Sequence, residues 1–149
     1  MFSSHEEDVL LLWAVNKRFH RYSEHPFNTE NTRKSQYLSF LGMHQFPDKF
    51  FNYSCMSAEN FDCLLEKVAP LIEKQNTNWK EAIPPGEKLI ITLRFLGEGC
   101  SYHQFGYSYF RGVTTISKLV KEVCAAIWSV LQPQFMPVPD ERQRLSITR

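Results

Sequence analysis

From Gln36 onward the chain repeats one pattern: apolar residues at helical spacing, interrupted by short polar breaks. The clearest case begins at Gly112. Ile116, Leu119, Val120, Val123, Ile127, Val130 and Leu131 fall on one stripe, while Thr115, Ser117, Lys118, Lys121 and Glu122 lie off it. That is an amphipathic helix with a hydroxyl-and-lysine face near its start. Upstream, Ser57 is placed to cap a helix whose stripe is Phe61, Leu64, Leu65, Val68, Leu71 and Ile72. Pro70 falls inside it, so a kink or break is expected there.

Prolines and glycines punctuate the rest. Pro84 and Pro85 precede a segment that closes on Gly97 and Gly99, the asymmetry of a helix start and end. Leu89, Ile90, Leu93 and Leu96 form its expected buried face. Ser101 and Gln104 fit a capping box opening a short helix at about 101–110. Earlier, Tyr37, Leu38 and Leu41 suggest one short helix, and Pro47 at a first helical position suggests another. No convincing strand appears. The fold class expected is therefore all-α: an orthogonal helical bundle over residues 36–132, with a less ordered arm at 1–35 and a tail at 133–149. The arm has room for one short helix in "HEEDVLLLWAVNKRF", acids first and bases last. The polar stretch "YSEHPFNTENTRKS" after it reads as a connecting loop.

Composition supports a packed domain. The 149 residues are 43% hydrophobic and 14% aromatic, enough for one core. The formal net charge is only +1, so any DNA binding must come from a local patch. "VLLLWAV" at 9–15 is too short to span a bilayer, and no secretory pattern opens the chain. No membrane association is expected. Cys55, Cys63, Cys100 and Cys124 form no CxxC pair and have no histidine at ligand spacing. They read as reduced, intracellular and mostly buried thiols, with no metal and no cofactor.

A helix at 101–110, a three-residue break and a long amphipathic helix together suggest a helix-turn-helix at about 101–131. That motif needs a small residue where the helices cross, which Gly106 supplies. It needs apolar residues in the angle between them, which Phe105, Tyr109, Ile116 and Leu119 supply. The outer face of the second helix then offers Thr115, Ser117, Lys118 and Lys121 to bases and phosphates, with Thr114 and the turn residue Arg111 beside them. Between Pro84 and Gln132 five basic and three acidic residues give a net +2, weak for a DNA module. The bland alternative is an ordinary packed helix pair with a solvated face.

Catalytic constellations are weaker. Asp62, Glu66 and Glu73 line the polar side of one helix, the usual solvated arrangement. A two-metal nuclease needs carboxylates converging from a rigid scaffold, and none is evident. His103 near Cys100 reads as a surface histidine on a short helix. "GEG" at 97–99 lacks the spacing of a phosphate loop. The chain is expected not to be an enzyme and to have no small-molecule substrate.

Several pieces together resemble a known family. Phe50-Phe51-Asn52-Tyr53 with Met56-Ser57, Phe61-Asp62, Leu64-Leu65, Ile83-Pro84-Pro85 and Glu87-Lys88-Leu89 are its first half. Thr92-Leu93-Arg94-Phe95-Leu96, Gly99, Thr114-Thr115-Ile116-Ser117 and Ala126-Ile127-Trp128 complete it. Over roughly residues 50–132 the chain resembles the N-terminal region of PIF/Harbinger-type transposases and the nucleases derived from them. The resemblance implies an all-helical segment with a helix-turn-helix that contacts double-stranded DNA in the nucleus, with cytoplasmic residence also open. In that family an RNase H-like catalytic domain follows, in which Asp, Asp and Glu hold divalent metal. No such triad is present here, so the expectation is the non-catalytic DNA-binding portion, truncated before the nuclease. Two alternatives stand beside it: a protein-interaction adaptor partnering a Myb-like DNA-binding protein, and a fragment of an otherwise active nuclease. Phe50, Phe51, Tyr53 and Trp79 would supply the adaptor's surface, unless they fill the core. The chain departs from the family at Arg111, where an apolar residue is expected, at Val113, where a polar or basic one is, and at Cys55, commonly Arg.

Overall fold

The computed structural model of the protein describes residues 25–31, 35–76 and 81–137. Within them the fold is all-α, as the stripes predict. The helices are α1 (Pro26–Asn31), α2 (Gln36–Met43), α3 (Pro47–Ser54), α4 (Ala58–Ile72), α5 (Pro85–Glu98), α6 (Tyr102–Tyr109) and α7 (Val113–Phe135). The helix expected at 5–19, the tryptophan at 79 and the tail from 138 lie outside the described residues.

The local signals that set the helix ends are in place. The Ser57 hydroxyl accepts from the Asn60 N–H at 3.3 Å, and the Ser101 hydroxyl from the Gln104 N–H at 3.3 Å. Each satisfies one of the donors a helix start leaves without an intrahelical partner. Pro47 and Pro85 occupy first-turn positions. Gly99 closes α5 with φ +66°, a left-handed conformation that costs glycine little. The corresponding caps of α3 and α6 fall on Cys55 (φ 60°) and Phe110 (φ 52°), which carry a side chain in the same region.

α5 is the central element, and Gly86 to Thr92 is buried without interruption. α7 crosses it, and α4 packs against both. Phe40, Phe50 and Phe61 meet at the other end of the core, with ring centroids 5.0, 5.3 and 5.7 Å apart. Each such pair adds about 0.5–1.5 kcal/mol beyond its area. Phe50 is thus core, and not the partner surface that the adaptor reading requires; Tyr53 is half-buried and Phe51 exposed. A second tie joins four helices through Arg94. Its Nη1 donates to Gln36 Oε1 and to the Tyr53 hydroxyl, both at 2.7 Å, and that hydroxyl lies 3.0 Å from the Tyr109 hydroxyl. Burial, and then the neighbouring Tyr53 hydroxyl, raise the Tyr109 pKa.

Several expectations need correction. Leu38, Leu41, Leu71 and Leu96 are exposed, and Phe40 anchors α2 instead. α4 runs through Pro70 to Ile72, and α7 runs through Pro133 to Phe135, so the tail does not begin at 133. Both prolines lie in a last turn, where one missing donor removes little of the ladder. The stretch after Ser23, read as a loop, contains α1. The cysteines are not mostly buried: Cys55 and Cys63 are exposed, Cys100 and Cys124 intermediate, and all four are free thiols.

Candidate nucleic-acid interface

α6 ends at Tyr109, three residues turn the chain, and α7 begins at Val113. The close approach depends on Gly106. A Cβ there would lie 3.0 Å from the Arg111 carbonyl oxygen and 3.6 Å from Val113 Cγ2, so a larger residue would push the connection away. The Arg111 N–H donates back to the Gly106 carbonyl at 3.0 Å. Phe105, Tyr109, Ile116 and Leu119 are all buried and fill the angle between the helices. The small residue and the apolar filling read from sequence are where the packing needs them.

Of the expected DNA-binding residues, Thr114, Lys118 and Lys121 are exposed, and Thr115 and Ser117 are intermediate. Offsets of four and seven from Thr114 place Lys118 and Lys121 on one outer face of α7, with Ser117 one turn below Lys121. No acidic residue occupies the first turn of α7, and no side chain caps its Gly112 start. Thr115 and Lys118 also border a cleft of about 320 Å³, shared with Lys74, Glu81 and Glu122. Lys74 donates to Glu122 at 2.9 Å. Lys74 did not emerge from the sequence because it reaches this place from the end of α4, 48 residues away.

Arg111 is the exception. Its Nε donates to Glu87 Oε1 and its Nη2 to Glu87 Oε2, each at 3.0 Å. The Arg111 side chain is 13% exposed and that of Glu87 3%. This two-pronged pair commits the guanidinium inward, onto α5, so Arg111 is a positioning residue for the connection and not an outer-face cation. The neighbouring Lys88 is buried as well. Its Nζ donates to the Ile72 carbonyl at the end of α4 and sits 3.7 Å from Glu122. Burial lowers its pKa, and Glu122 pulls in the other direction.

The remaining charges sort simply. Across α5, α6 and α7, Glu87 is paired with Arg111, Glu98 with Arg94, and Glu122 with Lys74 and Lys88. Among the described residues Lys118 and Lys121 have no ion-pair partner, and both lie on the outer face of α7. No group of three or more His, Cys, Asp or Glu able to hold a metal ion occurs among the described residues. No helix among them is long and apolar enough to cross a membrane. Comparison with family models, curated proteins and solved structures gives no match.

Proposed function

We propose that the protein is a non-catalytic, helix-turn-helix DNA-binding module in which α7 is the reading helix, of the kind found at the front of PIF/Harbinger transposases. The observation that carries this reading is the sorting of charge. The acidic side chains of α5 and α7 are spent on internal pairs, so the unpaired cations Lys118 and Lys121 stand together beside Thr114 and Ser117. Lysines in that position bond phosphates, and the hydroxyls reach base edges. The uncapped start of α7 adds amide donors suited to a phosphate oxygen. A nuclear location follows from this function and belongs to the same proposal.

The test is binding of the whole chain to duplex DNA over a salt series. Each phosphate contact contributes about 0.9 to the slope of log K against log salt. Lys118→Ala and Lys121→Ala are each expected to flatten the slope by about that amount. Absent binding, or binding indifferent to salt, refutes the reading.

A further inference from the structure

α7 carries a second apolar seam besides the one that faces the core. Cys124, Trp128, Leu131 and Phe135 follow one another at four, three and four residues, the step that pairs helices in a coiled coil. With Leu96 from the end of α5 and Ile127 they line an apolar groove of about 370 Å³. Leu96, Trp128 and Phe135 are 61%, 60% and 67% exposed, a concentration of large apolar side chains that a solvated helix face does not need. We propose that this seam is a homodimer interface, in which the C-terminal halves of α7 from two copies of the chain pack antiparallel about a two-fold axis.

Charge selects a second copy as the occupant. A two-fold contact sets each patch against itself, so any charge there meets its own kind. From Val123 to Phe135 α7 has no charged side chain, and Arg94 and Glu98 beside Leu96 are paired with each other. The same stretch offers an unlike partner no charge to recognise. Area fits as well. The six side chains present about 500 Å², close to the ~600 Å² per partner at the low end of specific interfaces. The dimer is therefore expected to be reversible. The direction follows from Lys121, which continues the seam three residues before Cys124. Parallel packing would set Lys121 against Lys121, whereas antiparallel packing keeps the two apart. On the DNA-binding reading the arrangement has a use. The middle of the seam lies about 17 Å along α7 from Lys118, so the two-fold puts the two Lys118 residues about 35 Å apart. That is about one turn of duplex, the separation of two half-sites. Trp128 lies ten residues beyond Lys118, about 80° short of three turns, so Lys118 points along the two-fold axis, to the same side in both copies.

The experiment uses the full chain in sedimentation equilibrium over a micromolar concentration series. The parent should approach twice its 17.5 kDa as concentration rises. Trp128→Glu and Phe135→Glu, at exposed positions, should halve that mass with helical circular dichroism unchanged. Leu71→Glu, at an exposed apolar position on α4, should leave the dimer intact. Orientation is read by a distance. With Cys55, Cys63, Cys100 and Cys124 replaced by alanine, Lys118→Cys carries a spin label, and the label pair should peak near about 35 Å. A parent that stays monomeric through high micromolar concentration overturns the proposal, since the groove is then filled from within the chain or by an unlike partner. A dimer that survives both glutamates, or a label distance below about 20 Å, the mark of parallel helices, overturns it too. Mass and distance are measured without DNA, so a failure here is distinct from a failure to bind duplex.

Discussion

Replacing Arg111 by alanine separates the two roles this residue could have. As a DNA contact it would weaken binding and leave stability alone. The structure gives it the opposite role, because its guanidinium holds both carboxylate oxygens of Glu87 at 3.0 Å in a site where Glu87 is 3% exposed. Arg111→Ala leaves that carboxylate buried without its cation, which costs about 3–5 kcal/mol for a buried pair. The 13% exposure of Arg111 places the cost toward the lower end, since some water enters when the side chain is removed. For a domain of this size about 3 kcal/mol lowers Tm by roughly 10 °C or more. Replacing both partners together, as Glu87→Leu with Arg111→Met, removes the orphaned charge as well as the pair. That double variant should melt within about 1–2 kcal/mol of the parent. Thermal unfolding followed at 222 nm, in singles and double, measures the difference. An Arg111→Ala protein that melts within 2 °C (~0.5 kcal/mol) of the parent refutes the reasoning, and so does a double variant as unstable as that single one.

Gly106→Ala should destabilise by about 1–3 kcal/mol, because its Cβ would stand 3.0 Å from the Arg111 carbonyl oxygen, a backbone atom that cannot rotate away; urea unfolding with an unchanged m-value checks this. Tyr109 is fully buried with a raised pKa, so the folded protein keeps the phenol protonated where the unfolded chain ionises. Its contribution is present below pH ~10 and is lost above it, at about 1.4 kcal/mol per pH unit. Tyr109→Phe should therefore show a shallower loss of stability between pH 10 and 11.5 than the parent, and parallel curves would refute this. Cys55 caps α3 at φ 60° with an exposed side chain, so Cys55→Gly should gain about 0.5–1 kcal/mol in the same urea assay.

Local signals were legible in the sequence and long-range ones were not. Ser57, Ser101, Pro47, Pro85 and Gly99 act within one turn of themselves, so their residue types alone announce the helix ends. Gly106 and its apolar partners follow from the geometric demands of two helices joined by three residues. The stripe rule failed where a helix sits in the middle of the molecule. In α5 the buried run includes Glu87 and Lys88, which periodicity assigns to solvent, because their partners lie on elements distant in sequence. The same rule overestimated Leu38, Leu71 and Leu96, since a stripe says which side of a helix is apolar and not how far the neighbouring helix extends. At the candidate interface Lys118 and Lys121 were placed correctly on an outer face of α7. Arg111 was not, because nothing near it in sequence reveals that Glu87 waits beneath.

The adjacent Glu87 and Lys88 carry opposite charges and hold α7 at two places, through Arg111 just before its start and Glu122 within it. This works as a polarised key. If α7 slid by one turn along α5, a carboxylate and an ammonium would both lose their counterions in the interior at once. Apolar packing tolerates small slips; this pair of locks does not. The aim of the outer face of α7 is therefore written on the opposite, hidden side of the helix, in two residues of another element. Drift among exposed side chains can alter what that face displays, while changes at those concealed positions can alter where it points.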